Sequence, residues 1–206
     1  ARANPSFAWG LHGGAWNAMG AERSSDAIDL ERRAITRARD PFDRALFTLS
    51  LAEFLKREES AEVGYEELKA ARFEFVLSPS DAVWWRAQRA AFGMQLEEGS
   101  DLEEAFEELL EVMVDPLLGE KDALRLAQSG RAARREHRGL DSLGLRLDQA
   151  LAQRSEESLG HQRASFAHEC GRHVRAAELW GAMSGGEWRA PAREQRLVNF
   201  AVGRFK

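Results

Sequence analysis

Two groups of residues in this chain have side chains of the type that catalyse reactions or bind metal. The first is the string His12-Gly13-Gly14-Ala15-Trp16. Adjacent glycines can leave backbone N–H groups aimed at a developing oxyanion. The second is His161, His168, Cys170 and His173, residue types that ligate zinc or haem iron. On a continuous helix His161 and His168 share a face but stand about 10 Å apart along the axis, too far for one ion. Cys170 falls nearly opposite His168, and His173 lies beyond Gly171. Those three would meet at one ion only around an unusual turn.

The His12-Gly13-Gly14 string resembles the oxyanion-hole segment of some α/β-hydrolases. Enzymes of that kind also need a Gly-x-Ser-x-Gly elbow after a strand, and the chain has none. Carboxylates are abundant but dispersed, no glycine-rich phosphate loop with a following lysine occurs, and no spacing selects a Ser-His-Asp triad. The reading is therefore a protein that is not an enzyme and that needs no cofactor and no metal. The alternative is a hydrolase or metal-binding protein that uses His12-Gly13-Gly14 or the His168, Cys170 and His173 group.

Charge patterning gives a different kind of candidate. Arg131, Arg134, Arg135 and Arg138 recur at intervals of three and four, on one side of one helix. Four guanidinium forks there suit an acidic peptide, an acidic helix or phosphate. Glu104, Glu107, Glu108 and Glu111 form an acidic stripe by the same arithmetic, opposite Leu102, Ala105, Leu109 and Met113. Two such helices in succession can partly neutralise one another, and solvated faces with surface ion pairs are the plain alternative. Trp84 and Trp85 are adjacent, about 100° apart on a helix, so one can be buried while the other reaches the edge as a hot spot for a partner. The expected partner-binding residues are Arg131, Arg134, Arg135, Arg138, Trp84 and Trp85.

These side chains need helices to position them. Ala, Leu, Glu and Arg dominate every window, and there are no long alternating runs. Asp40-Pro41, Ser78-Pro79 and Asp115-Pro116 recur at intervals of 38 and 37 residues, each closing a stretch of helical periodicity. Asp40 and Ser78 precede a proline suited to a first helical turn, and Ser100 with Glu103 is a capping box. The marks predict helices near 26 to 39, 41 to 57, 62 to 77, 81 to 97, 101 to 114, 121 to 137, 142 to 154, 156 to 169, 173 to 183 and 190 to 203. Before residue 20 the glycines weaken a helix. Aligned on the prolines, Ala27, Leu30, Ala34 and Ala38 correspond to Tyr65, Leu68, Arg72 and Val76, and then to Leu102, Ala105, Leu109 and Met113. Each set forms one apolar stripe, broken only by Arg72.

Gly171, Ala176, Trp180 and Met183 resemble the second half of a tetratricopeptide repeat, in which a turn glycine is followed by a small residue and then an aromatic on the second helix. Trp16, Met19 and Gly20 are similar to that family's opening signature. The middle repeats are longer than the usual 34 residues or so. The resemblance implies an all-α superhelix of stacked antiparallel helical hairpins. A Gly/Trp-rich segment would occupy 1-24, the repeats 25-188 and a capping helix 189-206. It also implies a scaffold or adaptor, a non-catalytic subunit that grips a protein partner through an inner groove.

Composition sets the outer limits. The net charge is −5, against general affinity for nucleic acid or anionic membrane; RNA binding through the arginine stripe is a third reading, and the acidity opposes it. Arginine outnumbers lysine, 25 to 4, as a GC-rich genome would produce. One cysteine rules out an internal disulfide framework. The stretch from Pro5 to Ala21 is nearly uncharged but too often interrupted to span a membrane. The chain reads as soluble, in the cytoplasm or, after loss of a targeting segment, in a periplasm or organelle.

Overall fold

The computed structural model describes residues 5–97, 99–137, 140–154 and 157–183. Helix follows helix throughout: α1 Pro5–Gly20, α2 Ser24–Arg37, α3 Pro41–Glu58, α4 Ala61–Ala70, α5 Pro79–Gly93, α6 Ser100–Met113, α7 Glu120–Glu136, α8 Asp141–Ala152, α9 Glu157–Glu169 and α10 His173–Met183. No strand occurs among the described residues. The expected helix at 190 to 203 and the capping segment 189-206 lie outside the described residues. Two compact units divide the chain between Ala105 and Phe106.

Helix boundaries follow local chemistry. Asp40 caps α3: its side chain accepts from the Phe42 N–H at 2.7 Å, ahead of a proline already fixed for the first turn. Ser78 does the same for α5, accepting from Asp81 N–H at 3.3 Å. Asp115 behaves differently. Its Oδ1 accepts from Leu117 N–H at 2.9 Å in a turn, and α7 begins only at Glu120, after Gly119. At the end of α9, Gly171 adopts φ +71°, Arg172 N–H reaches the Ala167 carbonyl and Gly171 N–H reaches that of His168. This is a Schellman closure, with glycine where a left-handed residue is needed. The end of α1 closes the same way, but the left-handed residue is Glu22 at φ +59°.

Within the first unit, α1, α2 and α3 pack in succession. Ala8 and Leu11 meet Ala34 and Ala38, while Ala15, Ala18 and Met19 meet Ala27 and Ile28, so α1 and α2 run antiparallel. Trp9 sits edge-on against Phe47 and Trp16 against Phe54, a step of seven residues on each helix, so α1 and α3 run in the same direction. The chain from residue 5 is thus an ordered helix, where its glycines had weakened the expectation of one.

One expected helix is shorter than its periodicity suggests. The stretch 62 to 77 is helical only to Ala70; the chain then leaves the helix to set buried Phe73 edge-on against Trp85 at 5.0 Å. Burial of that aromatic pair outweighs two further turns of helix. Arg72 and Val76 accordingly leave the stripe, and Val76 is exposed. Gly64 on α4 lies where a Cβ would stand 2.5 Å from the Ala52 carbonyl oxygen and 2.8 Å from Phe92, so only glycine lets α4 approach α3 this closely.

In the second unit, α7, α8, α9 and α10 pack on one another, with Ala164, Ala167, Ala176 and Trp180 forming the seam between α9 and α10. Arg154, just past α8, donates to the carbonyls of Met113 and Leu118 at 3.2 and 2.8 Å. It closes the C-terminal end of α6, where helix carbonyls lack partners.

Candidate functional site

The most unusual surface in the first unit belongs to α1. From Pro5 to Ala21 the only side chain able to carry charge is His12. One side of the helix buries Ala8, Leu11, Ala15, Ala18 and Met19. On the opposite side Trp9, Gly13, Trp16 and Gly20 follow at spacings of four, three and four, which is one line along the helix. Trp9 is 45% and Trp16 41% exposed, although each ring edge is anchored on a phenylalanine of α3. The two indoles stand about 10 Å apart along the axis. Between and beyond them, at Gly13 and Gly20, an added Cβ would meet nothing within 4 Å. The result is a charge-free face with two fixed indoles and a glycine notch between them. Trp9 is further held by an N–H bond to Asp43 at 3.1 Å.

Beneath that face a buried acid meets a half-buried base. His12 Nδ1 is 2.7 Å from Glu31 Oε1, and Glu31 is fully buried. The imidazole stacks on Phe47 at 4.6 Å and meets Trp9 edge-on at 5.5 Å. The second carboxyl oxygen of Glu31 has no hydrogen-bond partner among the described residues. Burial pushes the Glu31 carboxyl up to about 8 and pushes the His12 imidazole down. Both shifts favour neutral groups, so the pair carries a single proton in its low-dielectric site. Sequence reasoning chose His12 but passed over Glu31. Its only signal was a carboxylate between Ile28 and Ala34 on the buried side of α2, a weak one because charged residues border many helical stripes.

The structure removes the physical basis of an oxyanion hole at His12-Gly13-Gly14. Those residues lie in the middle of α1, where each N–H already bonds to the carbonyl four residues earlier.

The six expected partner-binding residues have different environments. Arg131 is engaged within its own unit, donating to both Glu169 carboxylate oxygens and to Gln162. Arg134 lies over the ring of Phe166, 5.3 Å from its centroid. Arg135 is exposed on α7, and Arg138 lies outside the described residues. Trp85 is wholly buried, whereas Trp84 is half-buried against Phe42, the division expected of two tryptophans 100° apart. In the acidic stripe Glu104 pairs with Lys69 at 3.5 Å, and Glu107 takes a two-pronged contact from Arg146.

Of the histidine and cysteine group, the turn at Gly171 brings two members together. His168 Nδ1 and His173 Nδ1 are 3.1 Å apart, and Cys170 is half-buried. Among the described residues no three His, Cys, Asp or Glu side chains gather into a metal site, and no helix is long and apolar enough to cross a membrane.

The described residues form an all-α chain whose helices pack within each unit against near neighbours in sequence, with an aromatic face free of charged side chains on the first helix. No protein-family model, no curated protein and no solved structure matches the chain.

Proposed function

We propose that this protein is a tetratricopeptide-like helical-repeat module that binds another polypeptide, acting as a scaffold or non-catalytic subunit, with the Trp9, Gly13, Trp16 and Gly20 line of α1 as its main contact. The observation that carries the reading is the exposure of two tryptophans that are already immobilised. Tryptophans of this kind are the commonest anchors of protein interfaces, because they bury a large apolar area with little loss of side-chain freedom. A partner that covered their exposed faces would bury further apolar area. The glycine notch favours a helix as the partner, since a backbone can approach closely where no Cβ intervenes.

The charge-free face calls for an apolar partner surface. Arg135 and half-buried Trp84 remain secondary candidates, the former for an acidic segment of the same partner. The test is co-purification from the native source, comparing the wild-type chain with Trp9→Ala/Trp16→Ala and with Arg135→Glu. The double tryptophan variant should lose a stoichiometric companion that the wild-type chain retains, while its circular dichroism is unchanged. Undiminished recovery of that companion would remove α1 from the interface.

A further inference from the structure

We propose that His168 and His173 form a two-imidazole chelate for one divalent late-transition-metal ion, with water completing the coordination. Two nitrogen ligands each about 2.05 Å from an ion, as for zinc and imidazole, are 3.1 Å apart when the angle at the metal is about 98°. The observed Nδ1 to Nδ1 separation is 3.1 Å. That angle lies between the right angle of an octahedral site and the wider one of a tetrahedral site, so either geometry is reached with little movement. Without metal, one neutral ring carries its hydrogen on Nδ1 and donates it to the other; when the ion binds, that ring moves its hydrogen to Nε2 through solvent, so that both rings coordinate through Nδ1 and each holds one hydrogen on Nε2.

The two rings are also preorganised. The two histidines sit on either side of a turn whose backbone is fixed by the left-handed Gly171 and the Arg172 N–H bond to the Ala167 carbonyl. His168 is also held by its ring neighbour Trp180, with centroids 5.8 Å apart. His173 is exposed, so an ion has access from solvent. The charged neighbours are occupied elsewhere: Glu169 with Arg131, Arg172 with Asp148 and Arg175 with Glu178. Two neutral imidazoles with open positions select borderline metals, copper(II) above nickel(II) and zinc, and reject magnesium.

The experiment is isothermal titration of the full chain with Cu²⁺, Zn²⁺ and Mg²⁺ in turn, alongside His168→Ala, His173→Ala, His161→Ala and Cys170→Ser. The expected result is one saturable site for Cu²⁺ and Zn²⁺, tighter for Cu²⁺ and absent for Mg²⁺. It should be lost in each of the first two variants and kept in the last two. His173 is on the surface, so that variant keeps its fold, and matching circular dichroism confirms it. Binding that survives both His168→Ala and His173→Ala, binding that follows Cys170 instead, or no saturable binding by the wild-type chain would overturn the proposal.

Discussion

Replacing Glu31 with glutamine should change how stability depends on pH while leaving the shape of the site almost intact. In the folded chain the Glu31 carboxyl titrates near 8 rather than near 4.5, and the His12 imidazole titrates below its ordinary 6.5, both because they are buried. In the window just below pH 6.5 the folded pair holds one proton, on Glu31, and the unfolded chain also holds one, on His12. Stability is therefore level in that window. Between pH 6.5 and 8 the folded pair keeps its proton and the unfolded chain holds none. Stability then falls by about 1.4 kcal/mol per pH unit, or about 2 kcal/mol across the interval.

Glutamine at position 31 is neutral at every pH and can still hydrogen-bond to His12 Nδ1. In the Glu31→Gln variant only His12 titrates, so the contribution of this site rises with pH up to 6.5 and is flat above it. The assay is urea unfolding of both proteins, followed by circular dichroism, at intervals from pH 6 to 8.5. Every other titrating group is common to the two chains, so the difference between the curves isolates the pair. The wild-type chain should lose about 2 kcal/mol relative to the variant between pH 6.5 and 8. Parallel curves over that interval would show Glu31 to be ionised in the fold.

Two further substitutions test the packing. Gly64→Ala should destabilise the chain by about 1 to 3 kcal/mol in chemical unfolding, because the new methyl meets the Ala52 carbonyl and the Phe92 ring. Glu22→Gly should stabilise it by up to about 1 kcal/mol, seen as a higher midpoint, because glycine removes the left-handed penalty at φ +59°.

Helix boundaries were the most legible part of the sequence, because each depends on a few local residues. Asp40-Pro41 and Ser78-Pro79 name a cap and a first turn by themselves, and both caps form. Where a boundary depends on a distant partner, sequence reading failed. Nothing local to 70–77 announces that Phe73 will leave the helix for Trp85, whose side chain comes from the next helix. The same holds for α1, whose glycines lower helix propensity while its apolar face gains burial against α2 and α3.

Residues of the site divide along the same line. The offset between Trp84 and Trp85 was readable because it is a property of one helix. Arg131 was not, because the spacing that placed it on a stripe says nothing of Glu169 and Gln162, 38 and 31 residues away. Glu31 escaped notice for that reason too. A buried carboxyl is recognised by what surrounds it, and His12, Trp9 and Phe47 come from other helices.

If α1 is the main contact, its indole line is open in the free chain and covered in the working complex. Hydroxyl-radical footprinting with mass spectrometry measures this directly, on the chain alone and on the complex recovered from its native source. Trp9 and Trp16 should oxidise readily in the free chain and be strongly protected in the complex, with little labelling of buried Trp85 in either. Equal labelling of Trp9 and Trp16 in the two samples would contradict a contact through α1.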